Sequence, residues 1–210
     1  MSSAVPPARP APPAQPTLRS RAKADRRVAT LAAAARLFAL RGFNGVSIED
    51  LGAAVGISGP AVYRHFPGKP AVLAAILTGV SADLLAGGQA VLAEHSDARA
   101  AIAALVHFHV AFALDNPEVI RVQDRDLDSL ADDDRHRVRT LQRDYVSLWV
   151  DVLGSLHPSA DVASRRIRAL ATFGLINSTP HSAVTGGRPV APRATVRPLL
   201  EGMALAALLG

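Results

Sequence analysis

The 210-residue chain contains no cysteine. That absence removes disulfides, thiolate metal ligands and cysteine nucleophiles together, and it suits a reducing compartment. Aromatic residues are scarce at 4%, although 49% of the chain is apolar. Ala, Leu and Val carry that apolar content, which fits closely packed helices better than a β-sandwich. No uninterrupted apolar run reaches the roughly 18–20 residues of a membrane span, so the chain reads as soluble, with no membrane partner. Prolines stand at the N-terminus where a signal peptide needs an apolar stretch, so a cytoplasmic location is expected.

Residues for catalysis are also wanting. The sequence has no phosphate-binding glycine loop and no nucleophile elbow, and we expect no enzyme. Asp124, Asp126 and Asp128 alternate, but the glycine and distal glutamate of a calcium loop are missing. Asp132, Asp133 and Asp134 read as a solvated charge run. Neither a metal nor a cofactor is expected.

What the chain does have is a lopsided charge. Residues 1–75 hold 10 Lys/Arg against 3 Asp/Glu, whereas residues 76–210 hold 13 against 15. Positive charge concentrated in the first third, followed by a near-neutral body, points to a polyanion partner at one end.

The pattern along the chain is all-α, with about nine helices and no credible strand. Residues 1–20 form a Pro/Ala-rich arm expected to be disordered. The arm and its edge carry Arg19, Arg21 and Lys23, either as a minor-groove contact or as a solvated basic tail. Residues 21–68 form a first unit and residues 69–210 a second. Val28, Leu31, Ala35 and Phe38 recur at helical spacing from Asp25 to Leu40, and Gly42 marks the stop. Ser47 caps a short helix with Asp50 at its third position, and Gly56 breaks it. Ser58 caps a third helix running to His65, in whose first turn Pro60 is tolerated.

A fourth helix starts near Lys69 and runs toward His95; a fifth carries Ile102, Leu105, Val106 and His109 and closes at Asn116-Pro117. Residues 117–130 read as irregular and charged, with one short helix and turns. Val138, Leu141, Tyr145, Leu148 and Val152 give the clearest amphipathic pattern. Val162 to Ala183 reads as another apolar helix, interrupted or kinked near Pro180. Gly186 to Pro198 reads as a surface loop, and Leu199 to Leu209 as a short final helix.

Ser47–Phe66 is the most informative stretch. Two short helices meet at Val55-Gly56-Ile57, and the second presents Ser58, Gly59, Tyr63, Arg64 and His65 without an acidic residue. Such a unit holds its second helix rigidly for insertion into the major groove.

Beyond geometry, residues 26–73 resemble the DNA-binding domain of the tetracycline-repressor (TetR) family. The motif is Arg27-x₉-Leu37-Phe38-x₃-Gly42-Phe43, then Ser47-Ile48-x₂-Leu51-x₃-Val55-Gly56-Ile57-Ser58, then Ala61-Val62-Tyr63-Arg64-His65-Phe66-x₂-Lys69. The resemblance implies an Ω-shaped homodimer that regulates transcription, usually as a repressor, and leaves a double-stranded, palindromic operator when a small molecule binds. It assigns Ser47, Tyr63, His65 and Lys69 to the DNA backbone, and Ser58, Gly59, Pro60, Ala61 and Arg64 to the recognition surface. Arg64 is suited to guanine, and Pro60 and Ala61 to thymine methyls. The acidic residue usual after Lys69 is replaced by Pro70.

The second unit is expected to hold an effector pocket and the dimer interface. Polar residues set in apolar faces are the pocket candidates: His109 with Phe112, Tyr145 with Trp149, Asn177 with His181, and Arg121 in the intervening segment. Ile167, Leu170, Ala171, Gly174 and Ser178 form a small-residue face, joined by Met203, Leu205 and Leu208 of the final helix; together they suit a four-helix dimer interface. Gly174–Pro180 is similar to TetR regulators associated with fatty-acid or branched-chain acyl-CoA catabolism, so the effector is expected to be hydrophobic or acyl-CoA-like. The rival reading is a DNA-binding architectural protein with no effector.

Overall fold

The computed structural model describes residues 18–182, 184–185 and 188–210, with side chains described for residues 24–182 and 188–210. The described residues form α1 (Leu18–Arg41), α2 (Ile48–Ala54), α3 (Gly59–Val62), α4 (Lys69–Glu94) and α5 (Ala98–Asp115). There follow α6 (Pro117–Asp126), a 3₁₀ turn (Leu127–Ser129), α7 (Asp132–Leu156), α8 (Val162–Asn177), α9 (Thr179–Ser182) and α10 (Arg193–Leu209). A two-residue antiparallel pair, Val184↔Pro189 and Thr185↔Arg188, links α9 to α10. The fold is all-α apart from that pair. Most of the proposed 1–20 arm lies outside the described residues, and α1 already begins at Leu18.

The side chains close two cores. Phe38, Val46, Leu51, Val62, Phe66, Leu73 and Leu77 fill the first, which also takes Val122 from α6 and Val138 from α7. The second is filled by Ile102, Leu105, Trp149, Leu153, Ile176 and Leu208, from α5, α7, α8 and α10. The longest helix, α4, leaves the first core and runs along α7 and α5. By length and composition α4 and α5 are each apolar enough to cross a membrane, but their apolar positions pack inside the bundle.

The short helix read within residues 117–130 is α6: Pro117 fits the first helical position, Glu118 and Arg125 complement the helix dipole, and Ile120 and Val122 are buried. The helix begun at Val162 is interrupted near Pro180, stopping at Asn177. Ser178 ends it, its amide donating to Gly174 O and its hydroxyl to Leu175 O, and a separate turn restarts at Thr179. The final helix begins at Arg193, not Leu199. Pro192 precedes it with φ −56°, and Pro198 sits inside it. Contacts of α10 with α5 and α8 outweigh the one backbone bond that Pro198 cannot donate.

Candidate nucleic-acid interface and effector pocket

The helix-turn-helix is locked from within. Ser47 accepts from the Asp50 amide at 3.0 Å, while its own amide and hydroxyl donate to the Asp50 carboxylate at 2.9 and 2.8 Å. This reciprocal cap satisfies donors that a helix start would leave open. Those two Ser47 bonds hold the Asp50 carboxyl below its usual range. The groups of Ser47 assigned to a phosphate are therefore both engaged by Asp50 in the DNA-free protein.

The turn needs glycine twice. Gly56 has φ +68°, a left-handed conformation that side chains resist. A Cβ on Gly52 would lie 2.7 Å from Ile57 O, so glycine alone lets α2 approach the turn that leads into α3. Leu51, Val62 and Phe66 then seal the core beneath α3.

The recognition helix is shorter than Ser58–His65. Its regular part is Gly59–Val62, and residues 63–65 continue as turns, with the His65 and Phe66 amides donating to Val62 O. Ser58 precedes it in extended conformation, with no side-chain cap bond. Ser58, Pro60, Tyr63 and Arg64 are exposed; Gly59, Ala61 and His65 are half-buried. Arg27 fixes the end of the motif from α1: its guanidinium donates to His65 O at 3.0 Å and stacks over Phe66 at 4.3 Å. Lys69 also faces inward in part, donating to Phe43 O at 2.8 Å above the Phe43 ring.

Five of the seven pocket candidates come together. His109 of α5 is the hub, with Nε2 3.2 Å from Asn177 Oδ1 and Nδ1 3.3 Å from the Tyr145 hydroxyl. A neutral ring protonated on Nε2 serves both contacts: it donates to Asn177 and accepts from Tyr145. Phe112, Tyr145, Trp149 and Phe173 surround it, the nearest being Phe173 at 4.7 Å between centroids. Burial drives the His109 pKa down to about 4, against the opposing Asn177 bond. Burial likewise pushes the Tyr145 phenol up. The Trp149 indole N–H is buried with no hydrogen-bond partner among the described residues.

Phe173 was not singled out in the sequence; it sits one helical turn before Asn177 on α8, and only the fold brings it to His109. Beside this filled cluster, between α4 and α5, lies a cavity of about 370 Å³ reached by Phe112, Phe108, Leu84, Asp83 and Asp115.

Arg121 and His181 lie elsewhere. Arg121 donates to Pro180 O, and His181 lies 3.8 Å from Asp124, so both join α6 to α9. Arg125, on the same helix, donates to Phe38 O and also reaches Ala39 O at 3.5 Å, at the C-terminal end of α1. One side chain thus ties the end of α6 to the end of α1.

The interface candidates divide. Ile167, Leu170, Ala171, Gly174 and Met203 are exposed, and Leu199 adds to the same apolar surface. Leu208 is fully buried in the chain's own second core, which corrects its place in the interface set. It points toward α5 and α8 because α10 lies across them. Leu205 and Ser178 are half-buried, Leu205 packed on the same core.

Comparison with known proteins agrees with this architecture. Residues 31–76 match the model of bacterial regulatory proteins of the tetR family, and residues 95–181 match a tetracyclin repressor-like C-terminal domain. The chain is 31% identical over 172 residues to the HTH-type transcriptional repressor KstR2 of Rhodococcus jostii, spanning 78% of this chain and 84% of that protein. A TetR-family transcriptional regulator from Bordetella parapertussis superposes with a TM-score of 0.76 at 24% identity, over 87% of this chain and 93% of that one. AibR, solved with isovaleryl coenzyme A and operator DNA, gives a TM-score of 0.69 at 18% identity, over 85% of this chain and 97% of that one.

Proposed function

The chain belongs to the TetR family of bacterial transcription regulators, and from that premise we propose that it is a cytoplasmic, ligand-responsive repressor acting as a homodimer. The observation that carries the reading is the exposed edge Ser58–Pro60–Tyr63–Arg64, set on a sealed core and with no acidic residue within Ser58–His65. Two such edges, presented by a two-fold dimer, meet half-sites one helical turn of duplex apart or a multiple of it. Arg64 supplies the longest base-reading group, while the apolar surfaces of Pro60 and Ala61 suit thymine methyls.

Dimerisation uses the exposed face of α8 and α10. Ile167 is 67% exposed and Leu170 and Met203 are each 47% exposed. Burying a large aliphatic side chain contributes about 1.5–3 kcal/mol, so several such residues on each subunit make a substantial contact.

The effector is a hydrophobic or acyl-CoA-type molecule held between α4 and α5, where the 370 Å³ cavity meets Phe112 of the His109 cluster. The fold shared with AibR, which was solved with isovaleryl coenzyme A, supports that class. Movement at the pocket reaches the DNA-binding unit through α4 and through the Arg125 tie to α1. A coupling of roughly 1–3 kcal/mol suffices for a 5–150-fold change in operator affinity.

Selection of bound duplexes from a random pool tests the reading. It should return an inverted repeat, and Arg64→Ala should weaken binding by about 1–3 kcal/mol and relax base preference at one position per half-site. Isovaleryl-CoA and octanoate, titrated into the complex, then test the effector class. Wild-type affinity for every sequence in the Arg64→Ala variant would refute the assignment.

A further inference from the structure

A second cavity, with a lining that shares no residue with the His109 cluster, begins one helical turn further along α5. It occupies the corner where α5 ends, α6 begins and the chain enters α10, and its volume is about 250 Å³. Ala113 and Leu114 of α5, Pro117 of α6, Thr179 of α9, and Pro192 and Val196 at the start of α10 line it. These walls are almost wholly apolar. Apolar cavities of about 150 Å³ are enough to hold a benzene ring, so this one has room for an aliphatic molecule of modest size.

Two observations narrow the chemistry. Thr179 is 3% exposed, and its hydroxyl is buried with no hydrogen-bond partner among the described residues. A buried hydroxyl left unpaired is costly, and Thr179 lines this space. The cavity also has one charged side chain, Arg193, and that guanidinium is already paired with Asp115 at 2.6 Å. An anion would have to compete with a carboxylate in place. A neutral molecule would not.

We propose that this corner is a second ligand site, taking a small neutral aliphatic molecule with one hydrogen-bonding oxygen, a ketone, ester or alcohol, that pairs with Thr179. The site is separate from the effector pocket proposed above and does not depend on it. Its position gives it leverage: Pro117 opens α6, Arg121 of that helix bonds Pro180 beside Thr179, and Arg125 at the far end holds α1.

The test uses the full-length protein without DNA and 2-octanone as probe, followed by methyl NMR of Ala113, Leu114 and Val196. Saturable shifts of these methyls are expected. Thr179→Val, which keeps the shape and removes the hydroxyl, should weaken binding about tenfold, and octanoate should bind at least about tenfold more weakly than 2-octanone. Ala191→Trp, which fills the cavity from its rim, should abolish the shifts, whereas His109→Gln should leave them intact. The proposal is overturned if these methyls do not move at the solubility limit of 2-octanone. It is equally overturned if Thr179→Val and Ala191→Trp both bind like wild type, or if His109→Gln alone removes binding, which would place the ligand in the aromatic core.

Discussion

Lowering the pH should destabilise this protein through one identifiable side chain. His109 is 3% exposed, and burial holds its pKa near 4 in the folded state against an ordinary 6.5. The unfolded chain therefore binds a proton more readily than the folded chain between those values. Stability attributable to His109 is fully present above pH 6.5 and is lost as the pH falls toward 4. A shift of that size corresponds to about 2 kcal/mol lost at pH 5 and about 3 kcal/mol at pH 4. Protonating Nδ1 would also remove the ring acceptor that takes the Tyr145 hydroxyl bond.

The assay is urea unfolding of wild type and His109→Gln at half-unit steps from pH 7.5 to 4. Other titrating groups contribute alike to both proteins, so the difference between the two curves isolates position 109. Glutamine costs packing at every pH, and that offset should shrink by about 2–3 kcal/mol on acidification. An offset that stays constant across the range would show that His109 is not held neutral by burial.

Three further outcomes follow from the same geometry. Ser47→Ala should cost about 1 kcal/mol of stability in the absence of DNA, because the cap with Asp50 is lost; a thermal melt identical to wild type would count against it. Lys69→Met should lower stability by about 1–2 kcal/mol without DNA, through loss of the Phe43 carbonyl bond and the stacking on its ring. The same variant should flatten the salt dependence of DNA binding only to the extent that Lys69 leaves Phe43 for a phosphate. Ile167→Glu should convert dimer to monomer in sedimentation, since it places charge on the exposed α8 face; an unchanged sedimentation coefficient would move the interface elsewhere.

Local signals were readable wherever the chemistry is local. The Ser47–Asp50 cap, the Gly56 turn and the stop at Gly42 each depend on neighbours within four residues, and each lies where the sequence puts it. Helix α6 was legible as a short helix in a charged segment, but its bounds were not, because its buried apolar positions, Ile120 and Val122, show only once the two cores close. The start of α10 was hidden because Pro198 reads as a stop, although tertiary contacts carry the helix through it. At the pocket, residue types were legible but assembly was not. Tyr145 and Asn177 stand 36 and 68 positions from His109, and no periodicity announces a three-helix meeting point. Arg121 and His181 have the same polar-in-apolar look and serve instead to join α6 to α9. The inward roles of Arg27 and Lys69 escaped a reading that reserves surface cations for phosphate.

The direct test of the regulator reading is the stoichiometry of the complex formed with the selected duplex, measured by sedimentation equilibrium at low salt. Two chains on one inverted repeat, reduced to none by Ile167→Glu at concentrations that saturate wild type, is the predicted result. A single chain bound per duplex, or no affinity for any duplex, would contradict it.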